Sequence, residues 1–395
     1  MDDTNSTARR FHNPRTLIFS QRNLSKILPY RCAHFEFEDV ISQIDSVEVV
    51  APKIDLSARR HSFAKQLAYH TPLRLNPGIE RLPGDADYDL MLVICGNPTD
   101  ILRIDAIKDW RKRCRKAVCL IDEIWATEVK SYRNFVRMLE KFDLVVLYYS
   151  QSVKAVSELI GDKCIFLPPG VDTLRFCPYP GASQRPIDVY SVGRRSSITH
   201  REILKMAGED DLFYLYDSTS ADQVLDPTEH RMLFANLLKR SRYFIVNPGL
   251  IDRPDIRGTQ IEIGNRYFEA AAAGSILLGQ RPLNGQFEHL FDWPDALIDL
   301  PYNSPDVAKV MKELDRQPDR QDSIRHMNMA QALLQHDWCY RWEAILKAAG
   351  LQALPQLNAR KEALRELAGR LSQDRVWRPA ASSSVKLTST PSLAD

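Results

Sequence analysis

The chain has 395 residues, 44% hydrophobic and 26% charged, the composition of a soluble globular protein that can bury a core, and its length predicts two or three domains. Lys plus Arg number 53 against 51 Asp plus Glu, a net charge of +2, which argues against a general polyanion binder, since such a protein shows a marked basic excess or stripe. No apolar run approaches the ~20 residues that span a bilayer, and the N-terminal MDDTNSTARRFHNP has no apolar stretch of the signal-peptide kind.

Residues 1–13 are polar and expected to be disordered. Short apolar, β-branched runs then recur as predicted strands: RTLIFS (15–20), VEVVAP (47–52), DLMLVICG (89–96), KAVCLID (116–122), FDLVVLYYS (142–150) and KCIFLPPG (163–170). Amphipathic stretches between them predict helices over Ala33–Ile44, Ile101–Arg115, Lys130–Phe142 and Gln151–Ile160. Alternation of this kind predicts a parallel sheet covered on both faces. The segment 171–186 is rich in Pro and Gly and reads as a linker.

The pattern restarts with IDVYSVG (187–193), DLFYLYD (211–217), SRYFIVNPG (241–249), GSILLGQ (274–280) and DALIDLP (295–301). Helices are predicted over His230–Arg240, Asn265–Ala273 and Ser304–Arg316. Residues 320–349 follow as helix, with Trp338, Trp342 and Leu346 on one stripe, and a charged helix over 358–373. The Ser/Thr/Pro-rich end, 376–395, is expected to be disordered. The predicted architecture is α/β: two doubly wound sheets over 14–170 and 187–330, with helices 331–375 partly packing back on the first.

The seven cysteines, at 32, 95, 114, 119, 164, 177 and 339, form no C-x-x-C pair. Several lie in apolar runs, where cysteine acts as a small hydrophobe. We expect a reducing, cytoplasmic setting with neither disulfide framework nor zinc site.

In open parallel sheets ligands bind beyond the C-terminal strand ends. After IDVYSVG come Gly193, Arg194, Arg195 and Ser196, then a helix opened by His200 and Arg201. This loop suits a diphosphate, through close backbone approach and guanidinium forks, or is a turn with solvated arginines. Asn265, Arg266 and Glu269 begin an Ala-rich helix that ends at Gly274; they suit phosphate and ribose contacts, or form an exposed helical face. On the first sheet, Ser20, Gln21, Arg22 and Asn23 follow the first strand, His34 lies near a helix start, and Asp122 and Glu123 follow the fourth strand. Asp122 reads as a helix cap and His34 as a packing or surface histidine, with a catalytic base among these residues as the alternative.

Three segments carry a resemblance. FLPPGVDTLRFCP (166–178), VGRR (192–195) and NRYFEAAAAGSILLG (265–279) resemble the domain junction, the Gly-Arg turn and the donor-site helix of GT-B-fold glycosyltransferases, of the group 1 C-terminal-domain type and nearest the spore-maturation-protein-like (CgeB-like) branch. HDWCYRWEAIL (336–346) resembles their closing helix. The resemblance implies a GT-B fold, with an acceptor in the first domain and a nucleotide-diphospho-sugar in the second. It implies transfer to a glycan, lipid or small-molecule acceptor, with retention, no bound metal and no further cofactor. It makes Glu269 the second Glu of an E-x7-E motif and Arg194 or Arg195 the neutraliser of the leaving diphosphate. It also implies donor contacts at Gly193, Ser196, Asn265, Arg266 and Gly274. The first Glu of that motif falls on Ile261; Glu262, one residue later, is the substitute candidate. Gly249, Asp252 and Arg257 would border the donor sugar. For the acceptor side the candidates are Arg22, His34, Asp122 and Glu123.

D-A-D-Y-D, with Asp85, Asp87 and Asp89, imitates a metal-binding D-x-D but leads straight into a strand. KDWRKRCRKA (108–117) reads as one solvated face of a helix, with a peripheral contact at the inner membrane face as a minor alternative. Two other functions stay open: a non-catalytic nucleotide- or glycan-binding protein of the same fold, and a nucleotide-sugar epimerase. No nucleic-acid partner is expected.

Overall fold

The computed structural model describes residues 14–24, 27–53, 58–80, 87–181, 184–216 and 224–373. The two expected disordered ends and Asp85 lie outside the described residues.

Eleven strands among the described residues each overlap one of the eleven apolar runs. β1 (Thr16–Phe19), β2 (Val47–Val50), β3 (Tyr88–Cys95), β4 (Cys114–Ile121), β5 (Leu144–Leu147) and β6 (Cys164–Phe166) form one sheet in the order β2-β1-β3-β4-β5-β6. β7 (Ile187–Ser191), β8 (Tyr214–Tyr216), β9 (Ser241–Val246), β10 (Ile276–Gly279) and β11 (Ile298–Asp299) form a second in the order β11-β10-β9-β7-β8. Every pairing is parallel. The central strands are apolar throughout because both faces are covered: Leu90 to Val93 of β3 are all fully buried.

The helices of the first half are α1 (Cys32–Ile44), α2 (Ala58–His70), α3 (Arg133–Met138), α4 (Val153–Ile160) and α5 (Thr173–Phe176). Those of the second half are α6 (Ser197–Glu209), α7 (Pro227–Lys239), α8 (Pro254–Arg257), α9 (Asn265–Ala272), α10 (Phe287–Leu290) and α11 (Val307–Asp315). They are followed by α12 (Pro318–Gln335), α13 (Trp338–Ala349) and α14 (Pro355–Gln373). The last two belong spatially to the first sheet. Trp338, Trp342, Ile345, Leu357 and Leu364 share a core with Ile18, Phe37, Val40 and Leu120, and Phe37 stacks on Trp338 at 4.6 Å.

The domain junction is clamped onto this returning helix. Arg341 donates to the carbonyls of Pro168 and Pro169, and Arg360 ties Asp172 to Asp337. Gly170 is required here, since a Cβ would lie 2.7 Å from the Trp338 ring.

Two expectations fail in the first half. Residues 101–115 are not an α-helix: 3-10 turns span Pro98–Ala106 and Trp110–Arg113, and β4 begins at Cys114. The run 108–117 is therefore no helical face. Its cations meet local carboxylates instead: Arg111 and Lys116 meet Asp143, Lys112 meets Asp109, Arg113 meets Asp87 and Arg115 meets Asp89. In addition, α2 is present where no helix is predicted. Among the described residues no helix is long and apolar enough to cross a membrane, and no group of three His, Cys, Asp or Glu could hold a metal.

Candidate functional site

Both sheets turn their C-terminal strand ends toward one cleft. Between them lies a cavity of about 170 Å³ lined from the first domain by Tyr30, Asp122, Glu123, Tyr148 and Tyr149, and from the second by Arg231, Asn265, Arg266 and Glu269. The acceptor-side carboxyls follow β4, Tyr148 and Tyr149 follow β5, and Tyr30 sits in the 3-10 turn before α1, while the second-domain residues come from α7 and α9.

The second domain supplies the polar groups predicted for a diphosphate. Gly193 takes a left-handed turn at φ 74°. Ser196 caps α6, accepting from the Thr199 amide. Arg194 is half exposed and pairs with Asp252 at 3.1 Å; it lies close enough to Glu123, across the cleft, to lower that group's pKa. Arg195 packs over the Tyr216 ring and lines a smaller cavity with Ser191, Ser196, His200, Asn247 and Tyr302 at the ends of β7, β9 and β10. Its Nη1 is buried with no hydrogen-bond partner among the described residues. Such an orphaned donor calls for a missing acceptor.

α9 presents its N-terminus to the main cavity, so Asn265 and Arg266 stand where the helix dipole favours negative charge. Glu269, one turn on, is fully buried. Arg231 donates Nη1 to its Oε1, and Arg266 donates to Oε2 at 2.8 Å. Burial alone would raise its pKa; the two guanidiniums outweigh it and hold the carboxyl below its ordinary value. Arg231 also forks onto Glu36 of α1 at 2.8 and 3.0 Å, and Trp338 Nε1 donates to the same carboxylate at 3.0 Å. A buried chain of alternating charge thus joins Glu269 to the first domain. Sequence reasoning missed Arg231 and Glu36, although both left a signal. Arg231 occupies the stripe of Phe234, Ala235 and Leu238, and Glu36 that of Ala33 and Val40, apolar faces where an unpaired charge is costly.

Glu262, the candidate for the sugar contact, is not among the residues lining the cavity, and its carboxylate is engaged by the first domain. Its carboxylate accepts from the Ser150 amide at 3.1 Å, the Gln151 amide at 3.0 Å and Gln260 Nε2 at 2.8 Å. These amides open the 3-10 turn that leads into α4, so Glu262 caps a helix of the other domain. Burial raises its pKa against those hydrogen bonds. Gln260 reinforces the clamp, accepting from the Ala126 amide at 2.9 Å and donating to Ser152 Oγ at 2.9 Å. Arg257 is turned to the carbonyls of Gly258 and Gln260, and Gly249 packs beside Tyr149 and Trp125.

Two further expectations need correction. Gly274 ends α9 and precedes β10, so it sits at the N-terminal edge of the sheet, against Met329, with the length of α9 between it and the cleft. Arg22 is drawn away by Glu38 and Asp39, each at 2.9 Å, and is not among the residues lining the cavity. Ser20 shares this cluster, donating to Glu38 at 2.5 Å.

His34 and Asp122 do meet. No helix follows β4, so Asp122 caps none; its Oδ2 pairs with His34 Nε2 at 2.8 Å. His34 is buried behind the wall, and Asp122 faces the cavity. Glu123 accepts from Trp125 Nε1 at 2.9 Å, and burial pushes its pKa up. Tyr148, with 2% exposure, has a hydroxyl without a hydrogen-bond partner among the described residues. Its only sequence signal is its place at the end of a buried strand.

Comparison with known proteins agrees on the architecture. A family model described as Glycosyl transferase-like matches residues 220–347, which include α7, the Glu262 segment and α9. Among solved structures, an alpha-glucosyltransferase in complex with UDP and a 13-mer DNA containing an HMU base superposes with a TM-score of 0.53 at 11% identity, over 86% of this chain and 100% of that one. An alpha-glucosyltransferase with UDP-glucose and DNA containing an abasic site gives 0.52 at 12% identity, over 85% and 99%. Anabaena Alr3699/HepE in complex with UDP gives 0.47 at 13% identity, over 85% and 99%. No curated protein matches the sequence significantly. The fold is GT-B: two Rossmann-like doubly wound domains facing across a cleft.

Proposed function

We propose that this protein is a glycosyltransferase moving a sugar from a nucleotide-diphospho-sugar to a hydroxyl of a glycan, lipid or small-molecule acceptor, and that it falls in the CgeB-like branch. One observation carries the reading. The Gly193–Ser196 loop and the N-terminus of α9, both donor-type features, belong to one domain; α9 faces carboxyls and tyrosines of the other across the cleft, and Arg194 of the loop acts on Glu123 there.

In this reading the nucleotide lies along the second sheet, with Arg195 and Ser196 at its anionic part and Asn265 and Arg266 beside the α9 dipole. Glu269 accepts from the ribose diol; each carboxylate oxygen keeps lone-pair capacity beyond its arginine bond. Transfer forms a bond from the acceptor oxygen to the anomeric carbon and breaks the anomeric carbon–phosphate oxygen bond, whose electron pair leaves on the diphosphate. The acceptor proton passes to that departing oxygen, on the same face, which retains configuration. Arg194 and Arg195 stabilise the charge as it develops. We further propose that no metal is needed at the donor; turnover unchanged in EDTA is the expected result.

Isothermal titration with UDP, GDP and their sugars tests the reading. Binding of at least one is expected, with Glu269→Ala weakening it about tenfold, or 1.4 kcal/mol. Failure of all of them to bind the folded protein would overturn it. A non-catalytic binding protein of the same fold is the second reading, favoured by the structural use of Glu262. Slow release of free sugar from a bound donor would decide for the enzyme.

A further inference from the structure

The acceptor half of the cavity has a chemistry of its own. From the first domain it presents Asp122, Glu123, Tyr30, Tyr148 and Tyr149, and no lysine or arginine. The first-domain cations Arg31 and Arg22 are engaged elsewhere: Arg31 with Asp100 at 2.9 Å and Arg22 with Glu38 and Asp39. On the opposite side, Arg231 and Arg266 are bonded to Glu269, and Arg231 to Glu36 as well, while Arg194, whose charge reaches Glu123, is paired with Asp252.

We infer that the acceptor is a neutral, polyhydroxylated molecule of the glycoside class, and that Asp122 receives a hydrogen bond from one of its non-reacting hydroxyls. This rests on the glycosyltransferase reading. A phosphate or carboxylate placed against Asp122 and Glu123 would face two carboxyls with no free cation, and like-charge juxtaposition costs several kcal/mol. Hydroxyls meet no such penalty. Asp122 Oδ2 is held by His34, while Oδ1 has no partner among the described residues. The hydroxyl of Tyr148, a residue of the same wall, is buried and unpartnered among the described residues, and it carries one donor and one acceptor. Three phenol rings supply amphipathic surface of the sort that packs on a ring with apolar C–H faces and polar edges. His34 acts only through Asp122 and is a positioning residue. The same chemistry disfavours nucleic acid as acceptor.

The test is saturation-transfer NMR on the full chain with UDP present, comparing methyl α-glucoside with its 6-phosphate. The neutral glycoside is expected to bind at least about tenfold more tightly. Asp122→Asn should bring the two ligands to within about threefold by admitting the phosphate, because removing the charge removes the repulsion. Tyr148→Phe should weaken the neutral ligand by about fivefold, the loss of one hydrogen bond. Should Asp122→Asn fold poorly because His34 loses its partner, Glu123→Gln gives the same narrowing from the other carboxyl. Preference for the phosphate, binding of neither ligand, or discrimination unchanged in both carboxyl variants overturns the inference. UDP affinity, measured in parallel, separates the two levels. If the wild type binds UDP but prefers the phosphate, the acceptor class alone falls; if it binds no nucleotide, the donor reading falls with it.

Discussion

The two sheets share a build, and each reverses its strand order once: between β1 and β3 in the first, between β7 and β9 in the second. An open parallel sheet leaves a crevice at that point, yet the two crevices are finished differently. In the first, Asp100 sits buried between Arg31 at 2.9 Å and Arg103 at 3.1 Å. Gln21 accepts from Arg103 at 2.6 Å and donates to the Ile94 carbonyl. Gly96 leaves room for the Arg31 guanidinium, 3.1 Å from where its Cβ would be. In the second, the corresponding arginine, Arg195, keeps a buried nitrogen without a partner. One topology therefore yields a filled plug and an unsatisfied crevice, and what separates them is whether the chain supplies its own carboxylate. A nucleotide's phosphates fit the second and would have to displace Asp100 from the first.

The largest effect that could break this contrast is in the plug. Asp100→Asn leaves two buried guanidiniums facing a neutral amide, and breaking such a set costs about 3–5 kcal/mol. Urea unfolding should show that loss, with the UDP affinity of the remaining folded protein within about twofold of wild type. The pH dependence has a definite sign. Burial would raise Asp100, but Arg103 and Arg31 hold its folded pKa below the ordinary carboxylate value. Its contribution is therefore complete above about pH 3.9 and is lost as pH falls through the folded value. The gap between wild type and variant should close in acid.

Arg195→Ala should do the opposite. With no protein carboxylate to abandon, stability should change by only about 0.5 kcal/mol, while UDP affinity drops about tenfold. Calorimetry and thermal unfolding of one preparation measure both. A large loss of stability with affinity intact would make Arg195 a second plug and erase the contrast.

The fold was legible because parallel strands buried on both faces show up as continuous apolar runs, and each of the eleven strands overlaps one of them. The helix expected over Ile101–Arg115 failed for a specific reason. Ile101, Ile104, Ile107 and Trp110 repeat strictly every third residue, the period of a 3-10 turn rather than of an amphipathic α-helix. α2 was invisible because its sequence, ARRHSFAKQLAYH, has little apolar stripe to bury. In the site, Asn265, Arg266 and Glu269 were readable from one continuous motif. Arg231 and Glu36 lie 195 positions apart, so neither could announce the other, and Tyr148 is distinguished only by a partner it lacks. Glu262 misled because its spacing nearly matches a motif while its carboxylate is used by the other domain.

That residue also gives the smallest and most discriminating test. Glu262 crosses from the second domain to cap α4 of the first, accepting on both oxygens. Gln at this position keeps one acceptor but turns an NH2 toward a backbone N–H, so Glu262→Gln should cost about 1 kcal/mol, the scale of a lost helix cap. If the clamp is its whole role, kcat should stay within about twofold; a sugar-contacting carboxylate would instead lower kcat by about 100-fold, as removal of a transition-state contact does. Burial raises its folded pKa above the unfolded value, so its contribution is present below about pH 4.3 and fades as pH rises through the folded value. The stability gap to the Gln variant should therefore narrow with rising pH, the reverse of Asp100→Asn. Denaturant titrations of the two variants across the same pH series should diverge in direction, because one carboxyl is held charged by arginines inside a domain and the other is buried between domains with amide and hydroxyl donors.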